Sequence, residues 1–136
     1  EVAARCDIVG LCLGWGFTEI NDVAALYQAL KAEGYEFEVI MVLPPDTSPQ
    51  DFDRKLGDVP SPLLALPVEQ RERAEELHKL YETQPYEVTF VLLEPATGRQ
   101  ILRQVRYRSE TGIFEYGAAC WPFEEADMAR AAAAAA

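Results

Sequence analysis

Cys6, Cys12 and Cys120 are the residues best suited to nucleophilic or redox chemistry, and their spacing limits what they can do together. Dithiol exchange uses two cysteines separated by two residues at a helix start, and a zinc ribbon uses two such pairs. The chain has no Cys-x-x-Cys pair. Cys12 stands in the apolar run Ile8 to Leu13 and reads as a small core residue. Cys120 lies beside Trp121-Pro122, where it either packs on the indole or presents an exposed thiol with no identifiable base. An odd, scattered set of cysteines argues against a disulfide-stapled secreted domain and for a reducing compartment.

Other chemistry finds fewer materials. His78 is the only histidine and falls in a charged helical stretch, where a surface position is expected; one histidine supports neither a transition-metal site nor a Ser-His-Asp arrangement. Gly10 to Gly16 is glycine-rich but lacks the Gly-Lys-Ser/Thr ending of a phosphate loop, and its spacing departs from GxGxxG. The adjacent acids Glu75-Glu76 and Glu124-Glu125 diverge on any regular element and read as solvated charge. Arg99, Arg103, Arg106 and Arg108 form one basic row, read first as a solvated strand face and second as a nucleic-acid contact. Acidic residues outnumber basic ones 23 to 12, a net charge of −11 that repels phosphates and anionic membranes. No metal or cofactor is expected.

The elements that must position these residues follow from apolar periodicity. Ile8 to Leu13 is a buried strand closed by Gly14. Phe17, Ile20, Val23, Ala24, Tyr27 and Leu30 make a helical stripe, with Thr18 or Asn21 placed to cap it and Gly34 to end it. Phe37 to Leu43 is a second strand stopped by Pro44-Pro45. Ser48-Pro49 opens a short helix to about Leu56, Leu63 to Val68 is extended, and Glu69 to Tyr81 is helical with Ala74, Leu77 and Tyr81 on one face. Val88 to Leu93 and Ile101 to Tyr107 form a hairpin about the turn Glu94 to Gly98, and the aromatic segment Gly112 to Phe123 closes over the sheet. Strands alternating with helices and ending in a hairpin predict a three-layer α/β/α sandwich with a mixed sheet.

Several short segments, in order, resemble the tryparedoxin/nucleoredoxin branch of the thioredoxin superfamily. Trp15-Gly16-Phe17-Thr18-Glu19 is similar to that family's junction between first strand and first long helix, with the five residues Cys-Pro-Pro-Cys-Arg missing between Trp15 and Gly16. Asp51-Phe52, Leu64-Ala65-Leu66-Pro67, Ala96-Thr97-Gly98 and Cys120-Trp121-Pro122-Phe123 resemble further family stretches, so the resemblance spans roughly residues 8–123. It implies a thioredoxin-like fold.

The departures bear on activity. The family's attacking thiolate sits at a helix N-terminus, where backbone N–H groups and the helix dipole favour the anion, and a second cysteine resolves the mixed disulfide. Neither cysteine is present at that junction. Glu87-Val88-Thr89-Phe90 stands where the family has Ile-Pro-Thr-Leu, so Val88 replaces the cis-proline. A cis bond there costs about 3 kcal/mol without proline, and a trans bond before Val88 is expected. The expected function is therefore a non-catalytic thioredoxin-like subunit or interaction module of a multi-subunit complex, with Trp15, Phe17, Tyr86, Val88 and Trp121 as its candidate contact surface. The alternative is a residual thiol–disulfide oxidoreductase or thiol sensor using Cys12 or Cys120.

One domain is expected over 1–123, followed by an acidic, then alanine-only segment 124–136 with helical composition. Ala131 to Ala136 reads as a helical end or as residues of unassigned identity. No basic-then-apolar leader is evident and Glu1 is not read as a natural start. The partners expected are proteins, with neither nucleic acid nor membrane. The resemblance points to a kinetoplastid cell, with cytoplasm, flagellum and mitochondrion not distinguished.

Overall fold

The computed structural model describes residues 7–14, 17–44, 47–58, 63–83, 88–105 and 117–135. A five-stranded sheet organises the chain, in the order β3-β2-β1-β4-β5. Strand β1 (Ile8–Leu13) is central: parallel to β2 (Phe37–Val42) on one side and antiparallel to β4 (Thr89–Glu94) on the other. All six of its residues are buried, which is what a continuous apolar run without alternation requires. The short β3 (Leu64–Ala65) extends β2 in parallel, and β5 (Arg99–Val105) pairs antiparallel with β4. The sheet is therefore mixed, as the pattern of elements predicts.

Helices cover both faces. On one face α1 (Phe17–Ala32) buries Val23, Leu26, Tyr27 and Leu30 against Ile8, Cys12, Phe37, Val39, Met41, Phe90 and Leu92. Gly34 ends α1 with φ +84°: its N–H reaches the Lys31 carbonyl at 3.0 Å, while Tyr35 N–H reaches that of Leu30 at 3.1 Å. This is a Schellman closure, for which a residue without Cβ is favoured. The helix begins before Thr18 and Asn21, so neither is its cap. Tyr27 Oη donates to the Glu38 carboxylate at 3.3 Å, and Lys31 Nζ lies 3.1 Å from it, tying α1 to β2. Burial opposes the Lys31 charge, but the Glu38 hydrogen bond and charge outweigh it and raise its pKa.

The opposite face carries α3 (Arg71–Leu80), whose Ala74, Leu77 and Tyr81 pack on Val9, Leu11, Leu13, Val42 and Val91. A 3₁₀ turn at Val68–Gln70 precedes it, so the expected helix from Glu69 begins in a tighter form after Pro67. Helix α2 (Pro49–Asp58) starts as its sequence predicts: Asp51 N–H donates to Ser48 Oγ at 3.2 Å, and Pro49 holds the first helical position.

The C-terminal segment closes the first face. A 3₁₀ turn at Gly117–Cys120 leads through a cis Trp121–Pro122 bond to Phe123, which is fully buried. Helix α4 (Glu125–Ala135) follows and buries Ala131 in the same core, with Met128 packed against it. The acidic and alanine segment thus packs onto the domain.

Candidate functional site

In an α/β sheet the strand ends that face helix starts are where a ligand or reacting group is held. Here that place is the junction of β1 and α1. Leu13 is fully buried, and Gly14, at φ +113°, donates its N–H to the Val42 carbonyl at 2.9 Å. Only Gly14, Trp15 and Gly16 separate the strand from the first residue of α1, and none offers a thiol. Trp15 and Tyr86 lie outside the described residues, and Phe17 is described only as the start of α1.

Across the sheet from this junction, Thr89 pairs with Leu13. Thr89 is 0% exposed, and its Oγ1 has no hydrogen-bond partner among the described residues. Val88, just before it, is 5% exposed, so its side chain packs in the α1-side core and presents little surface to a partner. The peptide bond preceding Val88 involves Glu87 and lies outside the described residues.

Trp121 does not share a surface with Val88. Its indole stacks on Tyr35 at 4.4 Å and 8°, and meets Phe37 edge-on. Phe37 pairs with Ile8, at the opposite end of β1 from Leu13. A six-residue strand separates the two ends by roughly 16 Å at about 3.3 Å per residue. The two described candidates therefore do not share one patch: Val88 belongs to the β1–α1 end and Trp121 to the other pole.

The thiols are placed equally plainly. Cys12 and Cys120 are both 0% exposed, within the core under α1 and α4. Of the two readings of Cys120 the packed one holds and the exposed one does not: the 3₁₀ turn directs it into the core against which Trp121 packs. Burial raises the Cys120 pKa, with Asp127 adding to and Arg130 opposing the effect. Cys6 lies outside the described residues.

His78 is also corrected from a free surface residue. It is half-buried, with Nδ1 2.7 Å from Thr83 Oγ1 and Nε2 3.2 Å from the Leu43 carbonyl, pinning α3 to the end of β2. The basic row divides for a reason the sequence does not announce. Leu92 pairs with Leu102 but Leu93 with Gln100, so Ile101 is an extra, unpaired residue in β5. This bulge breaks the two-residue alternation. Arg99 turns to Glu124 on the α4 side, while Arg103 donates to the Tyr81 carbonyl at the end of α3, 3.0 Å away. Arg106 and Arg108 lie outside the described residues.

Known structures place this arrangement. The chain is similar to tryparedoxin from Trypanosoma brucei at 27% identity and TM-score 0.66, over 92% of this chain and 85% of that one. Tryparedoxin II from C. fasciculata superposes with TM-score 0.70 at 23% identity, over 90% and 83% of the two chains. The fold is thioredoxin-like, in the form tryparedoxins have. Yeast Sco1, solved with copper bound, shares the thioredoxin-like fold at TM-score 0.55 and 17% identity, over 80% and 72%. Among the described residues of this chain no group of three or more His, Cys, Asp or Glu is placed to hold a metal ion. No protein-family model and no curated protein matches the sequence.

Proposed function

We propose that this thioredoxin-like chain carries no dithiol chemistry and serves as a protein-interaction or structural subunit of a larger assembly. One observation carries the reading: β1 passes to α1 through Gly14-Trp15-Gly16, with no cysteine where a thioredoxin-type enzyme holds its attacking thiolate. The remaining described thiols support it. Cys12 and Cys120 are sealed in the core, and burial favours the protonated, unreactive form of Cys120. What is left is a scaffold whose usual reactive site is absent and whose surface remains available for association.

The test is a disulfide-reduction assay on the intact chain and on variants with Cys6, Cys12 and Cys120 replaced singly, paired with affinity purification and mass spectrometry. No turnover above the uncatalysed rate, together with a reproducible set of co-purifying proteins, is the expected result. Turnover that one cysteine replacement abolishes would reinstate the thiol-enzyme alternative.

A further inference from the structure

A cleft lies at the pole opposite the β1–α1 junction. Its volume is about 440 Å³, within the range of about 300–1,000 Å³ typical of ligand pockets. Three pieces of chain build it: the start of β1, the β4–β5 hairpin, and the segment around the cis Trp121–Pro122 bond. Ile101 and Pro122 supply apolar surface and Trp121 an aromatic wall, held in place by its stack on Tyr35.

The charges around this surface are unequal. Among the described residues, Asp7, Glu94 and Glu124 line the cleft together with one cation, Arg99, a net excess of two negative charges. Arg99 is already engaged by Glu124 at 2.6 and 3.1 Å and by Glu94 at 3.5 Å. The Asp7 carboxylate has no hydrogen-bond or ion-pair partner among the described residues, and it lies in a chain of net charge −11. An apolar wall bearing an indole, beside carboxylates in excess, matches a long side chain with an apolar stem and a cationic head.

We propose that this cleft seats a lysine or arginine side chain of a partner polypeptide, the stem lying on Ile101, Pro122 and Trp121 and the head facing Asp7 and Glu94. The inference rests on the interaction reading above and gives it a location and a partner chemistry. Of the described contact residues expected from the sequence, Trp121 lies in this cleft and Val88 does not.

The experiment is an amide and indole NMR titration with acetyl-Gly-Ala-Lys-Ala-Gly-amide and with its norleucine counterpart. The lysine peptide is expected to shift the Trp121 indole N–H and the amides of Asp7, Ile8 and Ala96, an effect that weakens as salt is raised. The norleucine peptide should leave them in place. Asp7→Asn combined with Glu94→Gln, which keeps both shapes, should weaken lysine-peptide binding about tenfold while the spectrum stays dispersed. Equal binding of norleucine, shifts centred on α2 or α3, no saturable shift, or unchanged affinity in the double variant overturns the proposal. A second arm separates it from the broader reading: partners captured equally by wild type and double variant overturn the cleft alone, whereas capture by neither overturns the interaction function itself.

Discussion

Arg99 holds Glu124 through its two terminal guanidinium nitrogens, Nη1 and Nη2, at 3.1 and 2.6 Å, and so joins the β4–β5 hairpin to the residue preceding α4. The pair spans 25 residues of sequence. It exists because the Ile101 bulge turns Arg99 toward α4 instead of leaving it on the same face as Arg103. Geometry of this bidentate kind adds direction as well as attraction.

The pair predicts an acid sensitivity of defined sign. Arg99 holds the Glu124 carboxyl below its ordinary pKa, and Thr97 with Arg99 does the same for Glu94. A depressed carboxyl pKa contributes stability above the unfolded value of about 4.3, and that contribution is lost as pH falls through the folded value. Arg99→Gln should therefore melt below wild type at pH 7, with the gap in Tm closing over the acid interval below the unfolded value of about 4.3. A gap independent of pH over that interval would show that Arg99 acts through packing alone.

The elements were legible in the sequence wherever one local rule acted without competition. β1 was readable because both of its faces are buried, and α2 because Ser48-Pro49 is a capping signal independent of the rest of the fold. The candidate site was only half legible. The missing dithiol is a fact of local sequence. Which residues share a surface is not: the sequence offers no reason to separate Trp121 from Val88, but the chain after Cys120 crosses to the Tyr35 pole, a consequence of long-range packing. His78 looked exposed because its partner, the Leu43 carbonyl, comes from 35 residues earlier. The bulge at Ile101 carries no glycine or other mark, so the arginine row read as continuous.

Gly10 is predicted to resist enlargement. A Cβ at this position would stand 2.9 Å from Phe90 Cε1 and Cζ and 3.4 Å from Phe37 Cζ, inside the core of the central strand. Overpacking of this kind typically costs about 1–3 kcal/mol. Gly10→Ala should lower stability by about that amount in denaturant unfolding. Phe90→Leu made in the Gly10→Ala background should cost less than Phe90→Leu alone, because the ring it removes is the one in conflict. Strictly additive effects would place the strain elsewhere.

Thr89 makes the opposite prediction. Its hydroxyl is buried with no described partner, and an unsatisfied buried polar group costs about 1–3 kcal/mol relative to solvent. Valine keeps the branched shape favoured in a strand and removes the orphan oxygen. Thr89→Val should raise the unfolding midpoint, by about 1 kcal/mol of stability, with an unchanged m-value. A loss of similar size would reveal that the hydroxyl has a partner in solution.

The thiols give the most direct check on inactivity. Cys12 and Cys120 are fully buried, and burial holds the Cys120 thiol above its ordinary pKa, so both should be nearly inert toward a thiolate-selective reagent in the folded state. With Cys6 replaced by serine, alkylation at neutral pH should proceed only as fast as the chain opens. Denaturant should then expose two thiols together, since both belong to one core cluster. A thiol that reacts in the folded protein at the rate of free cysteine, and faster as pH rises through 7, would identify an accessible thiolate. The structural subunit would then have to be read as a thiol sensor built on a scaffold that lacks the Cys-x-x-Cys pair.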